Sequence, residues 1–136
     1  MVKNGLKGPK ASSEEVARLT IQTLKRAVPA CVPGVFFLSG KFNVDEDNEE
    51  TACIHLSTMR ELFKDCPWSV AFSFGKALQK TTIVTWMGKQ ENEQKAQQAL
   101  ISRANACGNA SEGTYKAGTC ASVGTDGNIK QVLGAY

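Results

Sequence analysis

The chain has 136 residues, of which 42% are hydrophobic and 21% are charged, and its net charge is +3 at neutral pH. This length and composition suit one soluble domain, and no arginine-rich stripe with interleaved aromatic residues signals nucleic-acid binding. No apolar run approaches the ~18 residues of a membrane span, and residues 1–15 lack a hydrophobic signal core, so we expect a cytoplasmic protein without a membrane partner.

The first predicted element is a helix over residues 13–27. Ser12 or Ser13 can cap its N-terminus, and the glutamates that follow suit the positive end of the helix dipole. Pro29 ends the helix. The residues that recur at helical spacing are Val16, Leu19, Thr20, Thr23, Leu24 and Ala27.

Two strands are predicted, and each breaks at a glycine. The stretch GVFFLSG predicts a strand near 34–39. Because its apolar residues run on without alternation, we expect this strand to be buried on both faces, as in a parallel sheet covered by helices. The stretch PWSVAFSFG predicts a second strand near 69–74, which breaks at Gly75.

Three further helices are predicted near 48–63, 76–86 and 90–107. The first of them should present one apolar face, made of Ala52, Leu56, Met59 and Phe63. The third mixes small, apolar and charged residues on one side, namely Ala96, Ala99, Leu100, Arg103 and Cys107. Strands that alternate with helices predict right-handed βαβ units and a parallel sheet. Two strands are too few for a complete sheet of this kind, which indicates part of something larger.

Two polar regions complete the outline. The acidic stretch between residues 45 and 50 is interpreted as a solvated loop that runs into a helix N-terminus. After Gly108 the periodicity is lost among Gly, Ser, Thr and Ala. Residues 1–108 are therefore interpreted as the folded domain and residues 109–136 as a flexible tail.

The ends of the two predicted strands carry the same chemistry. Ser39 and Gly40 follow the first strand, and Gly75 and Lys76 follow the second. Glycines let backbone N–H groups approach an anion, the following helix adds positive potential, and ligands of parallel β/α proteins sit at the C-terminal strand ends. These residues predict one phosphate site. An alternative stays open, in which the glycines only form turns and the lysines are solvated.

The remaining chemistry-bearing residues signal neither a metal nor a cofactor. The five cysteines form no Cys-x-x-Cys pair, so we expect reduced, half-buried thiols rather than a zinc cluster or a redox dithiol. His55, the sole histidine, lies on a predicted helix, where packing or a surface position is favoured over catalysis.

Several long stretches together resemble the C-terminal part of class I fructose-bisphosphate aldolases. They are SSEEVARLTIQTLKRAVPACVPGVFFLSG, PWSVAFSFGKALQ, GKQENEQKAQQALISRANAC and the final Tyr136. The resemblance covers residues 12–115 and the last residue, in the family's order and spacing. It implies the C-terminal portion of a (β/α)₈ TIM barrel, an α/β fold, with Val35–Ser39 as the seventh strand and Ser69–Phe74 as the eighth.

The resemblance also implies a site. Family residues that hold one phosphate of the sugar bisphosphate match Ser39, Gly40, Gly75 and Lys76, and the family's mobile C-terminal tyrosine, which assists proton transfer, matches Tyr136. The sequence departs from the family where Lys76 replaces an arginine and loses its planar fork. It departs again where a lysine replaces the second glycine after Ser39, and extra residues follow.

The family's Schiff-base lysine lies in a motif, LLKPNMV, of which this sequence has only Met1-Val2. Two hypotheses follow. The chain is the C-terminal portion of an aldolase that reversibly cleaves fructose 1,6-bisphosphate to dihydroxyacetone phosphate and glyceraldehyde 3-phosphate. It then binds a sugar phosphate, and another protein chain completes the barrel. The alternative is a non-catalytic structural or scaffold subunit derived from an aldolase. In either case we expect the chain alone to be inactive.

Overall fold

The computed structural model describes residues 1–2, 8–39 and 49–120. Its elements are α1 (Ser13–Ala27), β1 (Gly34–Leu38), α2 (Glu49–Leu62), β2 (Ser69–Ser73), α3 (Lys76–Trp86), a short 3₁₀ helix (Gln90–Asn92) and α4 (Glu93–Glu112). The predicted order of helices and strands is confirmed. None of the helices in the described part of the chain combines the length and apolar character needed to cross a membrane.

Helix α1 is fixed at both ends by its own sequence. Ser12 Oγ accepts a hydrogen bond from the Glu15 N–H at 3.1 Å, which satisfies one of the unpaired donors of the first turn. The Val28 N–H closes the last turn on the Leu24 carbonyl at 2.8 Å, immediately before Pro29. The helix packs on α2, where Ala17 and Ile21 meet Met59. Its buried residues are Val16, Ala17, Thr20 and Ile21.

Strands β1 and β2 pair in parallel, in a register that runs from Gly34 opposite Ser69 to Leu38 opposite Ser73. Helix α2 makes the crossover between them, so the predicted βαβ unit is confirmed. One face of the sheet packs on the helices and buries Val70 and Phe72 at 2% exposure each.

The other face of β1 is open, and the prediction that this strand is buried on both faces is wrong for the described residues. Phe36 is 65% exposed and Leu38 is 81% exposed. Both point away from the helices because alternate residues of a strand project to opposite faces. The described elements therefore pack against only one of the two faces of β1.

The core lies between β2, α2, α3 and α4. Its residues are Ala52, Cys53, Leu56, Val70, Phe72, Ala77, Ala106, Cys107, Ala110, Tyr115 and Cys120. Small side chains on α4 let that helix approach α2 and α3 closely, since alanines leave room for the larger residues opposite. A second, smaller cluster of Ala17, Ile21 and Met59 joins α1 to α2.

Helix α4 continues past Gly108 and ends at Glu112 rather than near residue 107. The division proposed at residue 108 therefore falls inside a helix. Gly113 ends it with φ 79°: its N–H bonds to the Ala110 carbonyl at 3.2 Å, and the Thr114 N–H bonds to the Asn109 carbonyl at 2.8 Å.

The residues after α4 fold back onto α2. Tyr115 is 8% exposed, its hydroxyl donates to Glu50 Oε1 at 3.1 Å, and its carbonyl accepts from Ser57 Oγ at 3.3 Å. The segment that follows α4 is thus held in place up to this point. The rest of the predicted tail, residues 121–136, lies outside the described residues.

Candidate phosphate-binding site

The carboxyl ends of β1 and β2 lie side by side, because the strands are parallel and in register. Ser39 directly follows β1, and Gly75 and Lys76 form the N-terminal end of α3 just after β2. The structure therefore brings together three of the five predicted site residues. Gly40 and Tyr136 lie outside the described residues.

A hydrogen bond ties the two strand ends to each other. The Ala77 N–H, in the first turn of α3, donates to Ser39 Oγ at 2.9 Å. Ser39 is 6% exposed, so this bond is sheltered from water. The serine thus acts across the sheet as a cap for a helix that begins after the neighbouring strand.

Gly75 leaves open space at the start of α3. Among the described residues, no heavy atom lies within 4 Å of the position that a β-carbon would occupy there. Its φ of −158° lies outside the left-handed region, so neither crowding nor a left-handed backbone requires a glycine. The absence of a side chain instead leaves the backbone accessible to an approaching group at the N-terminal, electropositive end of the helix.

Lys76 is 1% exposed, and Lys80, one helical turn further along α3, is 3% exposed. The alternative in which the lysine after Gly75 is solvated is therefore wrong. Enclosed ammonium groups on one face of a helix interact with an anion more strongly than solvated ones, since less water screens them. The positive charge of α3 is thus concentrated on its inner side.

Behind α3 lies a buried ion pair that sequence reasoning missed. Arg103 and Glu49 both have fully buried side chains, with Nε and Oε1 3.8 Å apart. Arg103 Nε also donates to the Ala77 carbonyl at 2.8 Å, and Glu49 Oε1 accepts from the Thr81 N–H at 3.0 Å. The interpretation of this end of the acidic stretch as solvated is wrong for Glu49.

The charge on Arg103 is favoured despite its surroundings. Burial acts to lower the pKa of this guanidinium, but the nearby Glu49 carboxylate and the sulfurs of Cys53 and Cys120 outweigh that effect, and the pKa of Arg103 is raised. The pair fastens the start of α2 to the middle of α4. Arg103 also bonds to the carbonyl of Ala77, and the N–H of the same residue bonds to Ser39 Oγ.

Three of the five cysteines are buried rather than half-buried, namely Cys53, Cys107 and Cys120. Arg103 Nη2 donates to Cys53 Sγ at 3.4 Å, and the Cys107 thiol donates to the Ala77 carbonyl at 3.6 Å. In the described residues, no group of three or more His, Cys, Asp or Glu side chains is arranged to hold a metal ion.

The sequence did contain one signal for this cluster. Glu49 and Cys53 are four residues apart on α2, and Arg103 and Cys107 are four residues apart on α4. Residues at this spacing lie on one face of a helix, so each helix carries one charged residue and one thiol on the same side.

These observations define a parallel β/α protein with a candidate ligand site at the carboxyl ends of neighbouring strands, as in β/α barrels. Comparison with known proteins agrees. A family model for class I fructose-bisphosphate aldolase, described as glycolytic, matches residues 1–132. The chain is 45% identical over 116 residues to a cytoplasmic fructose-bisphosphate aldolase isozyme of Cicer arietinum, and 44% identical over 116 residues to the cytosolic fructose-bisphosphate aldolase 6 of Arabidopsis thaliana.

A solved structure is also similar. It is fructose-bisphosphate aldolase from Plasmodium falciparum, in complex with TRAP and a small-molecule inhibitor, with a TM-score of 0.73 and 42% identity. The alignment covers 81% of this chain and 30% of that one. The chain belongs to the class I fructose-bisphosphate aldolases and has part of a TIM-barrel-type α/β fold.

The aligned region is a large part of this chain but a small part of its relatives. The match covers 85% of this chain but only 31% of the Cicer arietinum and Arabidopsis thaliana relatives. The chain thus spans about a third of the length of the curated relatives that it matches.

Proposed function

We propose that this chain supplies the C-terminal part of a class I fructose-bisphosphate aldolase barrel, with β1 as the seventh strand and β2 as the eighth. In this role it binds one phosphate of fructose 1,6-bisphosphate through Ser39, Gly40, Gly75 and Lys76. The observation that supports the proposal most directly is the 2.9 Å bond from the Ala77 N–H to Ser39 Oγ, because it holds both strand ends in one place.

The proposed contacts follow from the chemistry of a phosphate dianion. Backbone N–H groups beside Gly75 can reach it because no side chain stands in the way. Lys76 adds a charge-assisted hydrogen bond, worth about 1.5–3 kcal/mol, as a point charge without the two-pronged geometry of an arginine. Binding of this kind fixes the position of the sugar relative to the reacting groups, and that positioning is its contribution to the reaction.

The bond-breaking groups come from elsewhere in this proposal. Cleavage of the carbon–carbon bond through an imine needs a lysine amine, which the family carries in a motif that overlaps this chain only at Met1-Val2. The polypeptide that bears this lysine would cover Phe36 and Leu38, which are exposed here. We also propose that the assembly is cytoplasmic, as the names of the plant isozymes state for those proteins.

The experiment is a titration of the assembled protein with fructose 1,6-bisphosphate. Replacing Lys76 by Ala should raise the Kd about 10- to 100-fold, and replacing it by Arg should preserve binding. Lys89→Ala is the matched control, since it removes the same charge from an exposed side chain. Equal affinities for the Lys76→Ala and Lys89→Ala variants would remove Lys76 from the site.

One observation favours the second candidate, a structural subunit without turnover. Lys76 and Ser39 are both enclosed, and Ser39 Oγ is already engaged by the Ala77 N–H. In a structural role these residues would stabilise the junction of β1, β2 and α3 and bind no ligand. An assembled protein that takes up no fructose 1,6-bisphosphate, yet loses stability with Ser39→Ala, would support this candidate against the first.

A further inference from the structure

The buried cluster behind α3 places two thiols from different helices together. Cys53 on α2 and Cys107 on α4 both have 0% exposure and belong to the same hydrophobic cluster. Each of the two side chains also shifts the pKa of the other. One chain of hydrogen bonds also connects the two sulfurs: Arg103 donates to Cys53 Sγ at 3.4 Å and to the Ala77 carbonyl at 2.8 Å, and the Cys107 thiol donates to that same carbonyl at 3.6 Å.

The surroundings of the two sulfurs differ in a way that suits a reactive pair. The Cys107 side chain lowers the pKa of Cys53, and the Arg103 cation lowers it further, so that the opposing effect of burial is outweighed. The interaction with Cys53 raises the pKa of Cys107, and burial raises it further. A thiolate is the nucleophilic form of cysteine, and a neighbouring cation stabilises it. Arg103 donates to Cys53 Sγ, whereas Cys107 donates its own proton to a carbonyl, so Cys53 is the attacking sulfur in the first step.

We propose that Cys53 and Cys107 form a dithiol that a hydroperoxide, such as hydrogen peroxide, oxidises to a disulfide between α2 and α4. Cys53 ionises, its thiolate attacks one peroxide oxygen, the O–O bond breaks, and the departing hydroxide takes up the proton that Cys53 released to form water. Cys53 is then a sulfenic acid. The Cys107 sulfur attacks the Cys53 sulfur, the S–O bond breaks, and hydroxide leaves with the Cys107 proton as a second water. Both sulfurs are oxidised, and both peroxide oxygens are reduced.

The other cysteines are placed differently. Cys31 is exposed and Cys66 is partly exposed, away from this cluster. Cys120 is buried near Arg103, but its sulfur lies 3.2 Å from the Ser102 hydroxyl. Cys120 is therefore the competitor that the experiment has to separate from Cys107.

Burial of the pair sets how the reaction proceeds. Because neither sulfur is exposed, the peroxide enters during local opening of the packing between α2 and α4. The resulting disulfide ties residues that are far apart in the sequence, and such a link restricts the unfolded chain. The oxidised protein should therefore have a higher urea midpoint than the reduced one, and dithiothreitol should reverse the change.

The experiment uses the full chain with Cys31 replaced by Ser, which removes the exposed thiol. The folded protein is treated with hydrogen peroxide, the remaining thiols are blocked with N-ethylmaleimide, and the linked peptides are identified by mass spectrometry. The Cys53–Cys107 peptide should exceed every other linkage about tenfold, because thiols held in the same buried cluster react at a high effective concentration. The same treatment in urea, where the packing of α2 on α4 is lost, should give no such preference.

Two variants separate the roles of the sulfurs. With Cys107→Ser, the Cys53 sulfenic acid should persist and react with dimedone. With Cys120→Ser, the Cys53–Cys107 link should form as before. If the Cys107→Ser chain does not fold, the comparison of folded and urea-treated protein still decides. A folded chain that links Cys53 to Cys120, leaves both thiols free, or gives the same linkages as in urea would overturn the proposal.

Discussion

Glu49 and Arg103 form an ion pair whose two side chains are both fully buried, at the meeting point of α2, α3 and α4. The pair is completed by bonds from Thr81 to the carboxylate and from Arg103 to the Ala77 carbonyl. Two charges buried away from water are costly, and Arg103 Nη1 has no hydrogen-bond partner among the described residues. The bonds that the pair does make reach α2, α3 and α4, so they fix the relative positions of these three helices.

Replacing Arg103 with Met should lower the free energy of unfolding by about 3–5 kcal/mol, because it leaves the Glu49 carboxylate buried without its partner. Adding Glu49→Gln to this variant should recover part of the loss. Urea denaturation followed by circular dichroism measures both effects. The control is Glu91→Gln, which breaks the exposed Lys89–Glu91 pair and should change stability by less than about 1 kcal/mol. Equal losses for Arg103→Met and Glu91→Gln would contradict the prediction.

Replacing Gly113 with Ala should destabilise the chain more than replacing Gly118 with Ala. Both glycines have a positive φ, 79° and 80°, so both variants pay about 1–2 kcal/mol for a left-handed backbone. Only at Gly113 does the new β-carbon meet neighbours, with Arg60 Cβ at 2.9 Å and the Glu61 backbone nitrogen at 3.1 Å. This crowding should add about 1–3 kcal/mol. Urea denaturation measures both variants, and similar unfolding midpoints for the two would contradict the prediction that crowding at Gly113 adds to the cost.

Because of Tyr115, the folded chain should become less stable as the pH rises into the alkaline range. Burial raises the pKa of Tyr115 to about 12, with a further contribution from its bond to Glu50. The unfolded chain ionises near the ordinary value of about 10. The contribution of Tyr115 to the free energy of unfolding is therefore complete below pH ~10, and it is lost as the pH rises through the pKa of the folded state.

Tyrosinate absorbance measures this titration, and subtracting the curve of a Tyr115→Phe variant isolates Tyr115. Glu50→Gln should move the pKa of Tyr115 down towards its ordinary value, since the Glu50 carboxylate raises it. A Tyr115 that ionises at the ordinary value in the folded chain would show that its hydroxyl is not held by Glu50.

A protein made only of these 136 residues should form no Schiff base with dihydroxyacetone phosphate. An imine-forming lysine needs an amine whose pKa is lowered in a dry pocket, and Ser39 and Lys76 can supply only phosphate contacts. Borohydride trapping followed by mass analysis is the measurement. A lysine adduct on this chain that disappears with competing fructose 1,6-bisphosphate would refute the expectation. An adduct on a second, added polypeptide would support the aldolase proposal.

The elements and their parallel pairing could be predicted because the signals for them are local. Ser12 and Pro29 bound α1, and a glycine ends each strand. The end of α4 could not be predicted in this way. Gly108 costs a helix about 1 kcal/mol relative to Ala, and the burial of Cys107 and Ala110 on either side of it outweighs this cost only in the packed fold.

The candidate site was predicted in part for the same reason. Ser39, Gly75 and Lys76 stand next to strand ends, where sequence alone indicates a ligand site. The ion pair of Glu49 with Arg103 depends on two helices far apart in the sequence, and a glutamate at a helix start is ordinarily solvated. The one signal in the sequence is the four-residue spacing from Glu49 to Cys53 and from Arg103 to Cys107, which places each charge and thiol on the same side of a helix.

The exposed face of β1 also gives the protein a dependence on temperature. Attraction between apolar surfaces is driven mainly by entropy near room temperature and weakens on cooling. In the proposed complex, the polypeptide that covers Phe36 and Leu38 should therefore bind less tightly in the cold than in the warm. When the complex is purified on ice, less of the covering polypeptide should remain bound than when the same complex is purified at room temperature.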